Sequence, residues 1–351
     1  MEEIEVKNGV VKDKPFITIG IINHNYGHYL PRCLDAIKRQ KFLDYELIIA
    51  DNDSDDDSCD IIRKYVDEEH RVPVTFVRGE NVGHSGNLKR IFDRVKGEYL
   101  LFCDADDYMS PHCLEELAAK AKETEADMVA GAFRRVEDSG KVLFKMYYPK
   151  GMTIWTEEAT HCKLYKMSTI KENNIDIDPE WLHPDSFFNY IFYKYNKKTE
   201  FVRKVIYSFC KHPGSSSAFK DGKPAFYNLK DFNEHMSFAN NVFVSLPEDK
   251  KEALEYSLTR MYYFYILYQR PSKKVSDYID NYKDYHELFL KYFPKYLSNK
   301  ATKKLSGGYY ARSSVTKIVW FLTTAERLHV IKPVLFAYWC IGHFWNTTQG
   351  V

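Results

Sequence analysis

The segment YLLFCDADDYMSP, residues 99–111, joins an apolar run to three closely spaced carboxylates. Residues 99–103 are typical of a buried strand, and Asp104, Asp106 and Asp107 follow directly. Because neighbouring carboxylates raise the cost of each other's ionisation, a strand end of this kind needs something to offset the charge. The segment therefore predicts a buried strand whose carboxyl end binds a cation or a polyhydroxyl ligand.

Short apolar runs and amphipathic helical patterns alternate on both sides of this segment. This alternation predicts an α/β fold with a doubly wound, mostly parallel, Rossmann-like sheet. From about residue 228 the strand pattern stops and helical patterns dominate, which predicts a helical C-terminal region. The predicted strands are 16–22, 45–51, 74–79, 98–104 and 126–136, and the predicted helices between them are 29–40, 58–69, 84–97 and 111–124.

Composition excludes several classes of protein. The 351 residues are 44% hydrophobic and 28% charged, as in an ordinary globular protein, and a net charge of +1 argues against nucleic-acid binding. Seven scattered cysteines without a C-x-x-C pair argue against a disulfide framework or a zinc site and fit a reducing cytoplasm. The N-terminus lacks the apolar core of a secretory signal. Residues 328–345 are barely long enough to span a membrane and contain His329, Lys332, Pro333 and His343, which argues against a transmembrane helix.

The ends of four predicted strands are polar, and two of them carry carboxylate clusters. Ligands of open α/β sheets bind at the carboxyl ends of the strands, so these segments are expected to meet in one crevice. Hard divalent cations such as Mg²⁺ take carboxylate and phosphate oxygens, which predicts a metal-chelated diphosphate there. The chain has neither G-x-G-x-x-G nor G-x-x-x-x-G-K-[ST], which disfavours a dinucleotide-binding oxidoreductase and a P-loop enzyme. The four segments are 23–29, 51–58, 79–87 and 104–107.

This ordered series of motifs resembles the family 2 glycosyltransferases of the GT-A fold, an inverting group that builds bacterial surface polysaccharides. The resemblance covers roughly the first 220 residues, from FITIGIINHNYGHYL through YELIIADNDSDDDS and GENVGHSGN to HPDSFFN and KHPGSSS. It implies transfer of a sugar from a nucleotide-diphosphate sugar, favouring a UDP-sugar, to a hydroxyl of a glycan or lipid-linked glycan. It also implies Mn²⁺ or Mg²⁺ as cofactor and a role in polysaccharide, capsule or lipopolysaccharide biosynthesis.

The resemblance assigns roles by position. Asp51 and Asn52 are expected at the nucleotide base and Asp104 at the ribose or donor sugar. Asp106 is the expected main metal ligand, with Asp107 and His212 in support, although His212 is equally well an ordinary loop histidine before Pro213 and Gly214. The full set expected to bind the nucleotide sugar is Ile22, Asn23, Asn25, Asp51, Asn52, Asn87, Asp104, Ala105 and Asp106.

Asp185 matches the family's general base. A carboxylate that takes the proton of the attacking hydroxyl, on the face opposite the leaving group, implies inversion of the anomeric centre. Asp is also a favoured helix N-cap, so Asp185 could instead begin the helix that follows, and both roles are compatible. His183 and Asp178 are the alternative bases, and Trp155 and Trp181 are candidates to stack on an acceptor sugar.

The expected domains are an N-terminal extension (1–14), a nucleotide-sugar-binding half (15–110), an acceptor-binding half (111–227) and the helical region (228–351). The last part of the helical region, from Thr316, is basic and aromatic. Such a helix can lie at a membrane interface, or pack on the catalytic domain or on a second subunit as in a homodimer. The expected location is the cytoplasm, with peripheral contact at the inner face of the plasma membrane.

Two other classes of function are weighed against this one. A sugar-nucleotide pyrophosphorylase would carry a Gly-rich basic loop after the first strand, where this chain has NHNYGHY. A non-catalytic carbohydrate-binding relic of the same fold would be expected to lose Asp104, Asp106 and Asp185, and this chain keeps all three.

Overall fold

The structure is a computed structural model that describes residues 2–6, 14–68, 71–148, 159–212, 219–220, 223–224, 228–268, 274–305 and 313–348. The chain divides into two compact units, the first ending at Lys211 and the second beginning at His212. This division falls ahead of the expected boundary at 227/228, and the expected subdivision at 110/111 stays a prediction.

The first unit is a sheet with helices on both faces. Its helices are α1 Leu30–Lys38, α2 Ser58–Glu68, α3 Gly83–Phe92, α4 Cys113–Thr124, α5 Met167–Glu172 and α6 Pro184–Tyr195. Its strands are β1 Glu2–Val6, β2 Ile17–Asn23, β3 Tyr45–Asn52, β4 Val74–Gly79, β5 Tyr99–Asp104, β6 Tyr108–Met109, β7 Met128–Glu137, β8 Val142–Met146, β9 Lys163–Lys166 and β10 Thr199–Lys211.

The strand order is β1-β4-β3-β2-β5-β9-β7-β10-β6, with β8 paired to β7. Strands β4, β3, β2 and β5 are parallel neighbours, which confirms the predicted doubly wound core. Beyond β5 the sheet is mixed, because β9 runs antiparallel to both β5 and β7, while β7 and β10 are parallel. Edge strand β1, within the expected N-terminal extension, pairs antiparallel with β4.

Alternate residues of the central strands face different helices. Ile17, Ile19 and Ile21 of β2 belong to one core cluster with residues of α1, α2 and α4. On the other face, the Phe188 ring of α6 meets Phe92 of α3 and Phe102 of β5 edge to face. Both faces of the central strands are therefore covered, which explains why their sequences are almost continuously apolar.

Gly20 allows α3 to approach the sheet closely. A Cβ added at Gly20 would lie 2.4 Å from Cγ2 of Ile91, a distance that real Cβ atoms do not tolerate. This close contact seats α3 over β2 and β3, where the buried Asn87 amide donates to the carbonyl oxygens of Ala50 at 2.9 Å and Asn23 at 3.3 Å. Because Gly20 has no side chain, α3 can lie close enough to the sheet for Asn87 to make these hydrogen bonds.

The second unit is helical, as the sequence predicts. Its helices are α7 Leu229–Val244, α8 Glu248–Tyr268, α9 Val275–Tyr292, α10 Ser313–Arg327 and α11 Ile331–Thr348, with 3-10 turns at Tyr296–Ser298 and Ala301–Lys303 and a short hairpin of β11 Phe219–Lys220 and β12 Lys223–Pro224. None of the helices in the described ranges combines the length and hydropathy needed to cross a bilayer.

Tyrosines fill the interior of this unit and surround one carboxylate. Glu326 is buried, and its two oxygens accept hydrogen bonds from the hydroxyls of Tyr262 at 3.1 Å, Tyr263 at 2.9 Å and Tyr282 at 3.2 Å, and also from Tyr296. Burial raises the pKa of Glu326 to about 7, and the hydrogen bonds from the tyrosine hydroxyls oppose this rise. Tyrosines of this unit thus provide the hydrogen bonds that its buried carboxylate accepts.

Candidate functional site

The register of the parallel strands brings the predicted strand ends to one edge of the sheet. Asn23 of β2 pairs with Asp51 of β3, and Ile22 pairs with Asp104 of β5. Ile22 and Ala105 are buried and contribute backbone, since the Ala105 N–H donates to the Ile22 carbonyl at 3.2 Å. The convergence that the sequence predicts for these residues is therefore present in the fold.

Asp104, Asp106 and Asp107 form the carboxylate cluster of this site. One ligand oxygen from each lies within 4.8 Å of the others. Asp107 is held in place by the backbone N–H of Cys210, which donates to Oδ1 at 2.8 Å, whereas its buried Oδ2 has no hydrogen-bond partner among the described residues. Burial and the charges of Asp106 and Asp104 raise the pKa of Asp107 well above its usual range.

These residues fit a hard divalent cation. Three carboxylates supply the oxygen ligands that Mg²⁺ and Mn²⁺ prefer, and an unpaired buried carboxylate oxygen is costly unless a cation or a proton satisfies it. The nearby Tyr26 responds to this negative charge: burial and the charges of the same three aspartates raise the pKa of its hydroxyl, which therefore stays neutral. The cluster can therefore bind a cation that in turn chelates phosphate oxygens.

His161 is a site residue that the sequence reasoning missed. Its Nε2 lies 2.9 Å from Oδ1 of Asp104, in an ion pair that is mostly buried. Burial works to lower the pKa of His161, but the charge and close contact of Asp104, together with the charges of Asp185 and Asp107, outweigh it and raise the pKa to about 10. Conversely, burial works to raise the pKa of Asp104, and the charge and close contact of His161, together with the charge of His84, bring it below its usual value. A lone histidine in a segment without a recognisable motif offered no signal.

Asp51 is fully buried and holds the loop that follows β3. It accepts hydrogen bonds from Nδ2 of Asn23 at 2.7 Å, and from Oγ and the backbone N–H of Ser54 at 2.6 and 3.0 Å. Arg78 of β4 adds an ion pair, with Nε 3.8 Å from Asp51 Oδ1. The backbone N–H of Asn25 also donates to Ser54 Oγ, at 2.9 Å. The structure brings Asn23, Asn25 and Asp51 together, and their contact with a nucleotide base stays a prediction.

Asn52 and Asn87 are joined by a buried guanidinium. Nη1 of Arg90 lies 3.2 Å from Oδ1 of Asn52 and 3.3 Å from Oδ1 of Asn87, and Nη2 donates to the Glu80 carbonyl at 2.6 Å. The backbone N–H of Val82 donates to Asn52 as well, at 3.0 Å. Arg90 therefore ties the loops that follow β3 and β4 to the start of α3.

Asp185 lies in the first turn of α6 and is half-buried. The helix N-cap is His183, which makes no side-chain capping bond, so Asp185 does not occupy the N-cap position that was its alternative assignment. The hydroxyl of the buried Thr160 donates to Oδ1 of Asp185. A carboxylate in the first turn is also favoured by the helix dipole. The geometry leaves the role of general base as a prediction.

Among the other residues that the sequence analysis proposed for the site, Asp178 lies in the loop before α6. Its carboxylate accepts a hydrogen bond from the backbone N–H of Glu180 at 2.9 Å. The rings of His183 and Trp181 pack edge to face on Phe187, with centroids 5.7 and 5.9 Å away. Trp155 lies outside the described residues. His212 is buried and is the first residue of the second unit, so its role as a metal ligand stays a prediction.

Comparison with known proteins agrees with this arrangement. A family model described as Glycosyl transferase family 2 matches residues 18–221. Glycosyltransferase GlyA of Streptococcus pneumoniae is 25% identical over 228 residues, which are 59% of this chain and 32% of GlyA. A poly(ribitol-phosphate) beta-glucosyltransferase of Bacillus spizizenii is 32% identical over 167 residues, 45% of this chain and 26% of that protein. The matches thus span about a third or less of these relatives.

The fold is similar to a solved structure over nearly the whole chain. Residues 1–349 of TarS from Staphylococcus aureus match with a TM-score of 0.65 and 16% identity, over 92% of this chain and 91% of that one. The same TarS fragment in complex with UDP-GlcNAc matches with a TM-score of 0.62 and 17% identity. At this identity the similarity establishes the fold, which is the GT-A fold followed by a helical region. With the family model covering more than half of its length, this chain belongs to glycosyl transferase family 2.

Proposed function

We propose that this chain is an inverting glycosyltransferase that transfers a sugar from a nucleotide-diphosphate sugar to a hydroxyl of a surface glycan or lipid-linked glycan. The favoured donor is a UDP-sugar. The observation that carries the proposal is the carboxylate cluster at the end of β5, with a buried Asp107 oxygen that lacks a hydrogen-bond partner in the described residues. The cluster lies at the sheet edge where family 2 enzymes are expected to bind a donor.

Asp106 and Asp107 would hold Mn²⁺ or Mg²⁺, with His212 as a further proposed ligand. When bound, the cation supplies charge neutralisation to the departing diphosphate. Asp104, paired with His161, would contact the ribose or the donor sugar. The nucleotide would be bound by residues at the ends of β2 and β3, in the loop after β2, and in α3. These are Asn23, Asn25, Asp51, Asn52 and Asn87.

Asp185 would act as general base. As the acceptor oxygen forms its bond to the anomeric carbon, the bond from that carbon to the diphosphate oxygen breaks, and the acceptor proton moves to the Asp185 carboxylate. The nucleoside diphosphate leaves with the electron pair. Attack from the face opposite the leaving group inverts the anomeric centre, so an α-linked donor would give a β-glycoside.

The test of the donor site is nucleotide release from UDP-, GDP- and dTDP-sugars with and without Mn²⁺. We expect metal-dependent release from one of them that Asp106→Asn abolishes and Asp67→Asn, on the exposed end of α2, leaves intact. Metal-dependent turnover of a nucleoside triphosphate with a sugar phosphate would instead identify a pyrophosphorylase. No release under any condition would contradict a catalytic role.

The test of the base compares two aspartates. Asp185→Asn should keep donor binding and lower transfer about 10²–10⁴-fold, because proton removal from the acceptor is lost. Asp178→Asn removes the alternative base in the loop before α6 and should transfer at the wild-type rate. Transfer by Asp185→Asn at the wild-type rate would overturn the assignment.

Helices α10 and α11 support a peripheral membrane contact. Their exposed apolar side chains include Ile318 and Phe321 on α10 and Phe336 and Ile341 on α11. Lys317 and Lys332 are exposed beside them, whereas the sole carboxylate in residues 313–348, Glu326, is buried. An apolar surface with only positive charge complements an anionic bilayer surface, such as the inner face of the plasma membrane.

Vesicle sedimentation tests this contact. We expect binding to vesicles that contain phosphatidylglycerol and not to pure phosphatidylcholine, and loss of binding in Phe321→Ser/Phe336→Ser. Failure to bind anionic vesicles, together with a doubled mass in solution that the same variant halves, would identify this face as a homodimer interface instead.

A further inference from the structure

Thr160 and His161 are consecutive, buried, and in contact with two different carboxylates of the site. The hydroxyl of Thr160 donates to Oδ1 of Asp185, and Nε2 of His161 lies 2.9 Å from Oδ1 of Asp104. Thr160 is 1% exposed and His161 5%. One dipeptide therefore touches both the proposed base and the carboxylate cluster.

The backbone from His161 onward is joined to the sheet on both sides. His161 forms a parallel bridge with Phe102 of β5, the strand that carries Asp104. The next residue, Cys162, accepts a hydrogen bond from the backbone N–H of Gly131 in β7 at 2.9 Å. Strand β9 begins one residue later, between β5 and β7. Thr160 thus directly precedes backbone that is joined to the sheet.

A general base requires a defined orientation. Asp185 is half-buried in the first turn of α6, where its carboxylate could otherwise rotate. A hydroxyl has one proton to donate, and Thr160 directs it at Oδ1. This leaves Oδ2 as the oxygen to receive the acceptor proton.

We propose that Thr160 is a positioning residue for Asp185. We also propose that the Thr160–His161 dipeptide sets the distance between this base and Asp104 in the carboxylate cluster. The proposal rests on the proposed function of Asp185 as general base. Thr160 acts through Asp185, because its hydroxyl is committed to that carboxylate.

The experiment removes the hydroxyl while keeping the shape. Thr160→Val should lower kcat about 10- to 100-fold, the usual cost of a hydrogen bond to a charged group, with donor KM unchanged. Thr160→Ser, which keeps the hydroxyl, should restore most of kcat. Thr160→Ala, which cannot overpack, replaces the valine variant if that variant does not fold.

The outcomes separate this proposal from the one it rests on. Wild-type transfer by Asp185→Asn overturns the proposed function. With Asp185→Asn inactive, wild-type kinetics in Thr160→Val overturn only the positioning role. A fall in kcat that serine fails to restore, or one accompanied by an equal rise in donor KM, means a structural role and also overturns it. Thr160→Val added to Asp185→Asn should cause no further loss, since both act on the same proton transfer.

Discussion

Asp104 and Asp107 have opposite pKa shifts although they belong to one cluster. His161 supplies positive charge to Asp104 and lowers its pKa, whereas burial and the two neighbouring carboxylates raise the pKa of Asp107. The internal histidine thus offsets one of the three negative charges. The remaining charge is what a divalent cation would neutralise, and this is the physical reason that the cluster can persist at a strand end.

At the residue scale, Glu326 makes stability depend on pH. Burial raises its pKa from an ordinary 4.5 to about 7, so the folded state binds more protons than the unfolded state between these values. The contribution of this raised pKa to the free energy of unfolding is fully present below pH 4.5 and is lost as pH rises through 7. Relative to Glu326→Gln, the wild type should lose about 2 kcal/mol of unfolding free energy between pH 5 and pH 7.5.

Urea unfolding of both proteins at the two pH values measures this difference. Glu248→Gln, on the exposed start of α8, is the control and should follow the wild type. An equal pH dependence in wild type and Glu326→Gln would show that the tyrosine-bound carboxylate does not titrate in this range.

At the scale of elements, the seating of α3 on the sheet depends on Gly20. Gly20→Ala should lower the free energy of unfolding by about 1–3 kcal/mol, because its Cβ would overlap Ile91. Ile91→Ala alone should cost about 2–5 kcal/mol by leaving a cavity. The double variant should cost clearly less than the sum, since the new methyl group enters the space that isoleucine leaves. If urea unfolding shows that the costs of the two single variants simply add in the double variant, the prediction is wrong. The whole of α3 would then move away from the sheet in Gly20→Ala.

At the scale of the whole molecule, donor binding should stabilise the fold. UDP with Mn²⁺ at 100 times its dissociation constant should raise the free energy of unfolding by about 2.7 kcal/mol, visible as a higher melting temperature. Asp106→Asn should remove the Mn²⁺-dependent part of this shift, and His212→Ala should reduce it if His212 is a ligand. A full Mn²⁺-dependent shift in Asp106→Asn would place the metal elsewhere.

The local pattern of the chain was enough to predict the central sheet and the acidic strand ends. Strands β2 to β5 differ from their predicted ranges by one residue at most, because a buried parallel strand is a continuous apolar run that can be recognised without knowing its neighbours. Short strands such as β9, with four residues, gave no comparable signal, since their apolar side chains are too few to define a period.

By itself, the sequence determined the central parallel strands and their acidic ends, and it predicted that these ends would share an edge. Only the tertiary structure decided that His161 pairs with Asp104, that Thr160 binds Asp185, and that tyrosines from α8 and α9 surround Glu326. The reason is that hydrophobic periodicity is a local property, encoded within a dozen residues. A polar contact between distant residues depends on strand register and helix placement, which the whole core sets together.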